Sequence, residues 1–277
     1  MSTVDIPTPP RTLSQRLRWT LRDGATIGLR AFGHLRAEPG QLVGAIVFPA
    51  VLVVLFGYVF GSAISVPGTA NYREYLMPGL FAMSAIFAVL PSALLLCKDV
   101  AQGVVDRFRS MPMARSALPL GRTVADLLTG TIGLALMVVV GLVAGWRVHR
   151  GAADALAAFG LITLLRYALS WVGVYAGLSL RLETLDSFVP LVFPITMVSN
   201  SFVPTGGMPG WLRTIADWNP VSALVVACRQ LFGNPGGAGG AVAWPLRHAV
   251  LASAGWSLLL LAVFVPLATW RYRTTER

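Results

Sequence analysis

Charged residues are scarce in this chain. They make up 12% of its 277 residues, whereas 55% are hydrophobic, and soluble domains carry about twice that charged fraction. So few polar side chains cannot cover the surface of such an apolar protein in water. We therefore expect lipid to surround most of the folded chain.

Residues typical of metal, redox or nucleotide chemistry are also few. The two cysteines, Cys97 and Cys228, lie at the ends of different apolar runs. The topology below puts them on opposite sides of the membrane, so we expect no disulfide and no metal site. The only lysine, Lys98, follows a cysteine, so the chain has no GxxxxGK[ST] phosphate loop. We expect no catalytic residue and no bound cofactor.

The first forty residues are polar and basic, and they lack the apolar stretch and cleavage site of a secretory signal. We expect residues 1–10 to form a mobile, proline-rich tail. Within residues 11–36, leucine and alanine recur every fourth position, which predicts an amphipathic helix lying in the inner leaflet. An unordered basic tail is the alternative for this segment. Residues 1–40 are therefore assigned to the cytoplasm.

Six apolar runs have the length that a membrane-spanning helix needs, about 20 residues. The runs cover residues 41–61, 75–97, 123–146, 155–180, 187–203 and 249–270. The fifth run is short and contains Pro190 and Pro194. Six buried helices of this kind would leave too little polar chain to surround them in a soluble protein. The sequence therefore predicts an all-α membrane protein with six spans, its transmembrane domain covering residues 41–270.

The basic residues indicate the orientation of these spans. If the N-terminus is cytoplasmic, most of the 22 lysine and arginine residues fall in cytoplasmic segments. Because cytoplasmic loops carry the excess of positive charge, both termini are predicted to be cytoplasmic, including residues 271–277. The charges lie in short gaps between apolar runs rather than on one soluble face, which argues against a nucleic-acid partner.

The most basic of these gaps is the predicted cytoplasmic loop over residues 98–122. Its centre predicts a short helix in which apolar residues share one face and charged residues point elsewhere. The apolar residues are Val104, Phe108 and Met111, and the charged ones are Asp106, Arg107 and Arg109. Such a helix either lies on the membrane surface or inserts into a groove on a partner. The pattern alone does not choose between the two.

The outer segment over residues 204–248 contains two short helical patterns. Asn219 followed by Pro220 is a typical helix start, and Gly233 is a typical stop. The apolar stripe between them is too short to span a membrane. Trp211 and Trp218 suit a membrane–water interface. We predict two short helices that dip into the outer leaflet and return, with an ordinary packed outer loop as the alternative.

One arginine, Arg166, falls inside a predicted span. Its insertion at a helix centre costs about 2.5–3.5 kcal/mol, so it should face protein or water rather than lipid. Either it lies beside a substrate path, or it pairs with an acid such as Asp126 or Asp186 and fixes helix packing.

Two stretches resemble a known family. The loop DRFRSMPMARSALPLGR (106–122) and the block PITMVSNSFVPTGGMPGWLRTIADWNPVSALVVACRQLFG (194–233) are similar to the permease subunits of ABC-2-type exporters, especially the daunorubicin-resistance-like permeases. The resemblance implies two permease copies in a bacterial plasma membrane and separate ATPase subunits that bind ATP and Mg²⁺. It also implies that the helix around 104–111 couples to the ATPase, that the helix in 11–36 is interfacial, and that 209–232 forms re-entrant outer helices.

The function that this resemblance implies is ATP-driven export of an apolar or amphipathic compound, such as a drug or natural product. Aromatic and methionine side chains of the first, second and fifth spans suit a loosely selective pathway. The predicted pathway residues are Phe60, Phe81, Phe87, Arg166, Met197, Asn200 and Phe202. The predicted outer residues are Trp211, Trp218, Asn219, Pro220 and Arg229. The alternatives are export of a lipid or lipid-linked glycan, or ion-coupled transport, which would favour acidic relays and internal repeats.

Overall fold

The computed structural model describes residues 47, 50–59, 72–105, 117–236 and 243–274. Within these residues the chain forms α-helices, a π-helical segment (Leu55–Val59), a 3-10 helical turn (Thr205–Gly207) and short connections, without a β-strand. We number the helices α1 (Ala50–Val59), α2 (Tyr72–Ile86), α3 (Val89–Ala101), α4 (Ala117–Val143), α5 (Ala152–Ser179), α6 (Leu182–Met197), α7 (Gly210–Trp218), α8 (Pro220–Phe232), α9 (Trp244–Arg247) and α10 (Ala249–Thr274). The predicted interfacial helix in 11–36 and the segment 106–116 lie outside the described residues.

Four apolar stretches in the described residues are long enough to cross a membrane. They are α2 with α3 (Tyr72–Ala101), Pro119–Val143 of α4, α5 and α10. These stretches correspond to the second, third, fourth and sixth predicted runs. The first run contributes the shorter apolar helix α1, and the fifth contributes α6. The prediction of an all-α membrane protein is confirmed, and the number of six spans stays a prediction.

α4 and α6 differ in their limits from the predicted runs by five residues or more. α4 is helical from Ala117, where the described residues resume, rather than from near residue 123. α6 begins at Leu182 and ends at Met197, so residues 198–203 of the fifth run are not helical. The Ser199 hydroxyl donates to the Thr196 carbonyl at 2.7 Å. Such local side-chain bonds compete with helix continuation.

The second span is interrupted between α2 and α3, at Phe87 and Ala88, and we call this interruption the bend. Pro91 has no backbone N–H and its ring crowds the carbonyl four residues earlier, which weakens the helix near Phe87. The amide of Ala88 bonds to the Ala85 carbonyl at 3.2 Å, a tighter i→i−3 pattern. The carbonyl of Ser84 therefore loses the amide partner that a regular helix would supply.

Helix α5 lies at the centre of the bundle, with α3, α4 and α10 packed around its membrane-spanning length. Two glycines one turn apart on α5 face α3. A Cβ added at Gly177 would lie 2.5 Å from the Ala93 carbonyl oxygen, and one at Gly173 would collide with the Val89 carbonyl. The backbones of α3 and α5 therefore approach as closely as small residues allow, which is a common way to pack membrane helices.

An aromatic cluster forms one part of the core. The ring of Phe81 packs edge-on against Trp146 at 5.0 Å, and Trp146 packs edge-on against Phe232 at 5.1 Å. Phe159 of α5 lies 5.2 Å from Phe232. The Trp146 indole donates to Asn234 Oδ1 at 2.8 Å, so its buried N–H is satisfied. These contacts join α2, α5 and α8 to the loop after α4.

The limits predicted for the outer helix α8 are confirmed. The Asn219 side chain accepts from the Val221 amide at 2.9 Å, Pro220 takes the first helical position, and Gly233 ends the helix at a φ of 73°. The Asn219 amide group also donates to the Val198 carbonyl at 2.9 Å. This side chain therefore joins the start of α8 to the end of α6.

Replacing Asn219 by alanine should destabilise the protein by about 1–2 kcal/mol, because both the cap and the link to Val198 are lost. Asn219→Ser is the matched control, since a hydroxyl still accepts from the Val221 amide. Thermal unfolding of the purified protein in detergent checks this. Equal midpoints for the two variants would contradict the double role of Asn219.

Candidate functional site

Residues 199–202 follow the end of α6 at Met197, and they are buried but not helical. Ser199, Asn200, Ser201 and Phe202 are each at most 5% exposed. Buried carbonyl groups need donors, and in a bilayer water supplies few. The donors therefore have to come from other elements of the protein.

Three side chains supply these donors. The Tyr75 hydroxyl donates to the Asn200 carbonyl at 3.0 Å, and the Tyr72 hydroxyl donates to the Phe202 carbonyl at 2.6 Å. Nη2 of Arg229 donates to the carbonyls of Asn200, at 3.0 Å, and Ser201, at 3.2 Å. We call this arrangement the carbonyl clamp: the donors Tyr72, Tyr75 and Arg229 with the carbonyls of residues 200–202. It joins α2, the end of the fifth run and α8.

Arg229 carries its charge in the interior of the protein. Its side chain is 1% exposed, and no carboxylate of the described residues lies within 4.0 Å of it. It also donates twice to the Tyr75 carbonyl, at 3.1 and 2.9 Å. The guanidinium carbon lies 3.5 Å from the centre of the Tyr75 ring. Carbonyl dipoles and the ring face thus stabilise a cation that would otherwise be costly to bury.

Two glycines make room for the carbonyl clamp. A Cβ on Gly79 would come within 3.0 Å of the Ser201 Cα, so α2 reaches residue 201 only because position 79 has no side chain. Gly236 has a φ of 77°, and a Cβ there would lie 2.5 Å from the Tyr75 ring. Gly236, which follows α8, therefore packs on the carbonyl clamp.

Arg166 lies at the bend of the second span. Its Nη1 donates to the Ser84 carbonyl at 2.8 Å, the carbonyl that the bend has deprived of its helical partner. The guanidinium occupies the space beside Gly130 of α4, where a Cβ would collide with it. The proposed ion pair with Asp126 or Asp186 is not formed at 4.0 Å or less. Arg166 instead completes the hydrogen bonding of a distorted helix.

Asp126 is held one helical turn from Gly130. Ser92 of α3 donates to its Oδ2 at 2.5 Å, and Nε of Arg122 lies 3.6 Å from its Oδ1. Arg122 stands near the start of α4, beside the loop 98–122. Asp126 therefore connects the base of that loop to α3.

The predicted pathway residues fall into separate places. Asn200 and Phe202 meet Arg229 at the carbonyl clamp, and the Phe202 ring lies 4.7 Å from Phe56 of α1. Phe81 is fully buried in the aromatic cluster. The others lie apart: Phe87 at the bend, Met197 at the end of α6 and Arg166 against Ser84. Phe60 is outside the described residues, as are the coupling residues Asp106, Arg107, Phe108, Arg109 and Met111, whereas Val104 is partly buried just after α3.

Sequence reasoning missed Tyr72, Tyr75, Ser84 and Gly130. The two tyrosines stand three residues apart at the polar edge of an apolar run, which was a usable signal for a paired role. Among the described residues, no three histidine, cysteine, aspartate or glutamate side chains converge as a metal site would need. Cys97 and Cys228 are both buried.

Several apolar side chains face outward in the single chain. Trp211, Ile215 and Trp218 form one exposed stripe on α7, with Trp211 70% exposed. Another exposed stripe lies on α1 and consists of Val51, Val54, Leu55, Tyr58 and Val59; Val47, before this helix, is exposed too. Surfaces of this kind in a soluble monomer are rare, and they are usual where lipid or another subunit covers them.

Comparison with protein families decides which transport system this architecture belongs to. The family model described as "ABC-2 type transporter" matches residues 25–232, most of the chain. The chain belongs to this family. As an ABC-2 family member with several apolar helices, it is a multi-pass membrane protein.

Individual relatives agree with the family assignment. The ABC-2 protein is 30% identical to the daunorubicin resistance ABC transporter permease protein DrrB1 of Streptomyces coeruleorubidus, over 88% of this chain and 83% of that protein. It is 24% identical to a probable doxorubicin resistance permease, DrrC, of Mycobacterium tuberculosis, over 82% and 80% of the two chains. It is 25% identical to a putative transport permease, ycf38, of Porphyra purpurea, over 74% and 72%. The resemblance that we drew from two sequence stretches is confirmed.

Proposed function

We propose that the protein is the transmembrane permease subunit of an ATP-driven exporter that moves an apolar or amphipathic compound, such as an anthracycline-like drug, out of the cell. The observation that carries this proposal is the match to a permease named for daunorubicin resistance over 88% of the chain. A separate ATPase subunit would bind ATP and Mg²⁺ and drive transport. Two permease copies would enclose the pathway.

The arrangement of apolar surface supports this reading. The exposed stripe on α1 belongs to the first apolar run of the sequence, residues 41–61, which is long enough to span the membrane. A second copy of the chain would cover this stripe. The ring of Phe56 on the other side of α1 packs on Phe202 of the carbonyl clamp. The clamp residues Asn200 and Phe202 would therefore lie close to a pathway between two copies, as proposed for the first and fifth spans.

The proposed topology has six spans, with both termini cytoplasmic in a bacterial plasma membrane. The excess of basic residues in 1–40, 98–122 and 271–277 supports it. On this topology α7 and α8 lie on the outer side. The exposed Trp211 and Trp218 would sit at the outer membrane–water interface, and α8 would return without crossing.

Transport assays in inverted membrane vesicles test the function. Vesicles that contain the permease and its proposed ATPase subunit should accumulate daunorubicin when ATP is added. Vesicles whose ATPase lacks its Walker A lysine are the matched control and should not. A fluorescent phospholipid serves as the second probe, for the lipid-export alternative. Accumulation without the ATPase, or of the phospholipid alone, would overturn the proposal.

The double substitution Arg107→Glu, Arg109→Glu should reduce co-purification of the ATPase subunit by about tenfold while the permease still inserts in the membrane. The reason is that reversed charge on the proposed coupling helix opposes docking at a subunit interface. Arg147→Glu, Arg150→Glu on the proposed outer side is the matched control, because the same charge change there should leave co-purification intact. Unchanged co-purification of the double variant would count against a coupling role for this loop.

A further inference from the structure

Arg166, an arginine within a predicted membrane span, lies beside α4, the helix that carries Asp126, but forms no ion pair with Asp126. Its guanidinium lies against Gly130, and Asp126 is one turn of α4 away on the same face of that helix. Residues four apart on a helix have neighbouring side chains, with Cβ atoms about 5–6 Å apart. A carboxylate therefore lies within one side-chain rotation of a guanidinium that at present donates to a backbone carbonyl.

The two partners considered for Arg166, the Ser84 carbonyl and the Asp126 carboxylate, differ in how strongly they bind a guanidinium. A carboxylate binds a guanidinium more strongly than a carbonyl does, especially away from water. In the described structure, however, Asp126 already accepts from Ser92 and faces Arg122 at 3.6 Å. The Ser84 carbonyl, by contrast, would be left without its helical donor if Arg166 moved away from a bent span. The bend and the occupancy of Asp126 together hold Arg166 at Ser84.

We propose that Arg166 is a positioning residue that holds the bend of the second span, and that Asp126 is its alternate partner when the span straightens. In a straight span the Ala88 amide bonds to the Ser84 carbonyl, as in a regular helix. Arg166 is then free to pair with Asp126. Each conformation satisfies the carbonyl of Ser84, first from Arg166 and then from Ala88.

The space beside Gly130 makes this exchange feasible. Nε of Arg166 is buried and has no hydrogen-bond partner among the described residues, so at least one N–H donor of the guanidinium makes no hydrogen bond in this position. Position 130 carries no side chain that would obstruct its movement along α4. An arginine has five N–H donors in a planar fork, which allows it to change acceptors without losing its charge.

The exchange would connect the cytoplasmic loop to the bend. This step rests on the proposed function. Arg122 lies at the base of the loop 98–122, and a push on that loop by an ATPase would change its approach to Asp126. Once Arg122 moved away, Asp126 would pair with Arg166, and the second span would straighten.

The alternate pairing is tested without any transport assay, on the full chain in lipid nanodiscs. Arg166→Gln, Asp126→Asn and the double variant are compared with the parent by thermal unfolding, first with Pro91 present and then in a Pro91→Ala background. Removing Pro91 removes the cause of the bend. We expect the two effects to be additive with Pro91, and non-additive by about 2–4 °C in the Pro91→Ala background, as an interaction formed only in the straight span requires. Equal coupling in both backgrounds overturns the proposal.

A second pair of variants decides the matter if Pro91→Ala fails to fold. Gly130→Ala fills the space that the Arg166 guanidinium occupies, whereas Gly133→Ala on the same helix meets no described atom within 4 Å. We expect Asp126→Asn to lower the unfolding midpoint more in the Gly130→Ala protein than in the Gly133→Ala protein, because the displaced Arg166 then depends on Asp126. Identical effects in the two proteins overturn the proposal.

A functional arm separates a positioning role from a purely structural one. With the ATPase subunit present, Asp126→Asn should keep ATP hydrolysis but lower daunorubicin transported per ATP by about tenfold. Asp126→Glu should restore it. Full coupling in Asp126→Asn overturns the proposed exchange. If the unmodified protein moves no daunorubicin, the proposed function fails, and the stability comparisons still decide the alternate pairing.

Discussion

Arg229→Met should destabilise the protein by about 3 kcal/mol and sharply lower its yield in membranes. Methionine fills a similar volume but donates no hydrogen bond. The Ser201 carbonyl would lose the donor it has in the carbonyl clamp, and the carbonyls of Tyr75 and Asn200 would lose part of theirs. Buried acceptors without donors cost about 1–3 kcal/mol each. Thermal unfolding in detergent and the membrane-integrated fraction measure the effect.

Arg213→Met is the matched control for this prediction. Arg213 lies on the neighbouring helix α7, is partly exposed and pairs with Asp217 at 3.6 Å. Asp217 keeps the hydrogen bond from the Thr205 hydroxyl at 2.8 Å, so we expect this change to cost less than the loss of Arg229. Arg229→Lys should fall between the two, because an ammonium keeps the charge but not the planar fork that reaches three carbonyls. If Arg229→Met and Arg213→Met unfold at the same temperature, the clamp does not hold the outer region together.

Gly177→Ala should destabilise the protein by about 2–3 kcal/mol, although alanine is the better helix former. A Cβ at position 177 would lie 2.5 Å from the Ala93 carbonyl oxygen and 3.1 Å from the Leu96 Cβ. The first of these atoms is backbone, which cannot rotate away, so α3 and α5 must separate. Overpacking of this kind costs about 1–3 kcal/mol, and the separation weakens the packing between these two spans. The unfolding midpoint of the purified variant measures this.

Gly160→Ala, a substitution on the same helix, should have the opposite effect on the stability of the protein. Position 160 is exposed, and an added Cβ meets no described atom within 4 Å. Alanine should therefore stabilise α5 by up to about 1 kcal/mol, the difference in helix propensity. The same substitution at two glycines of one helix thus separates packing from propensity. Destabilisation by both would refute the idea that close approach to α3 is what position 177 requires.

Features with a local cause were predictable from the sequence. The limits of α8 follow from Asn219, Pro220 and Gly233, each of which acts on backbone groups within its own turn. The four long apolar helices follow from hydrophobic length, since each run must satisfy its backbone within itself in lipid. Such features depend on neighbours in the chain, and the structure confirms them.

The polar sites were not predictable, because their acceptors are backbone carbonyls. The identity of Ser84 does not show that its carbonyl lacks a donor from its own helix. That lack follows from the bend that Pro91 favours, and Arg166 of another helix supplies the donor instead. For the same reason, the alternative in which Arg166 pairs with a carboxylate was wrong for the described conformation. The pairing of Tyr72 and Tyr75 with residues 200–202 joins positions more than a hundred residues apart.

The carbonyl clamp acts on main-chain groups. Arg229 and the two tyrosines donate to backbone carbonyls at positions 200–202, so these hydrogen bonds do not depend on which side chains those positions carry. The side chains there are constrained by packing instead, since Phe202 lies 4.7 Å from Phe56 and Ser201 accepts a hydrogen bond from Ser199. A substitution at these positions that keeps the packing would therefore keep the link between α2 and α8, whereas an ion pair between two side chains is lost when either residue changes.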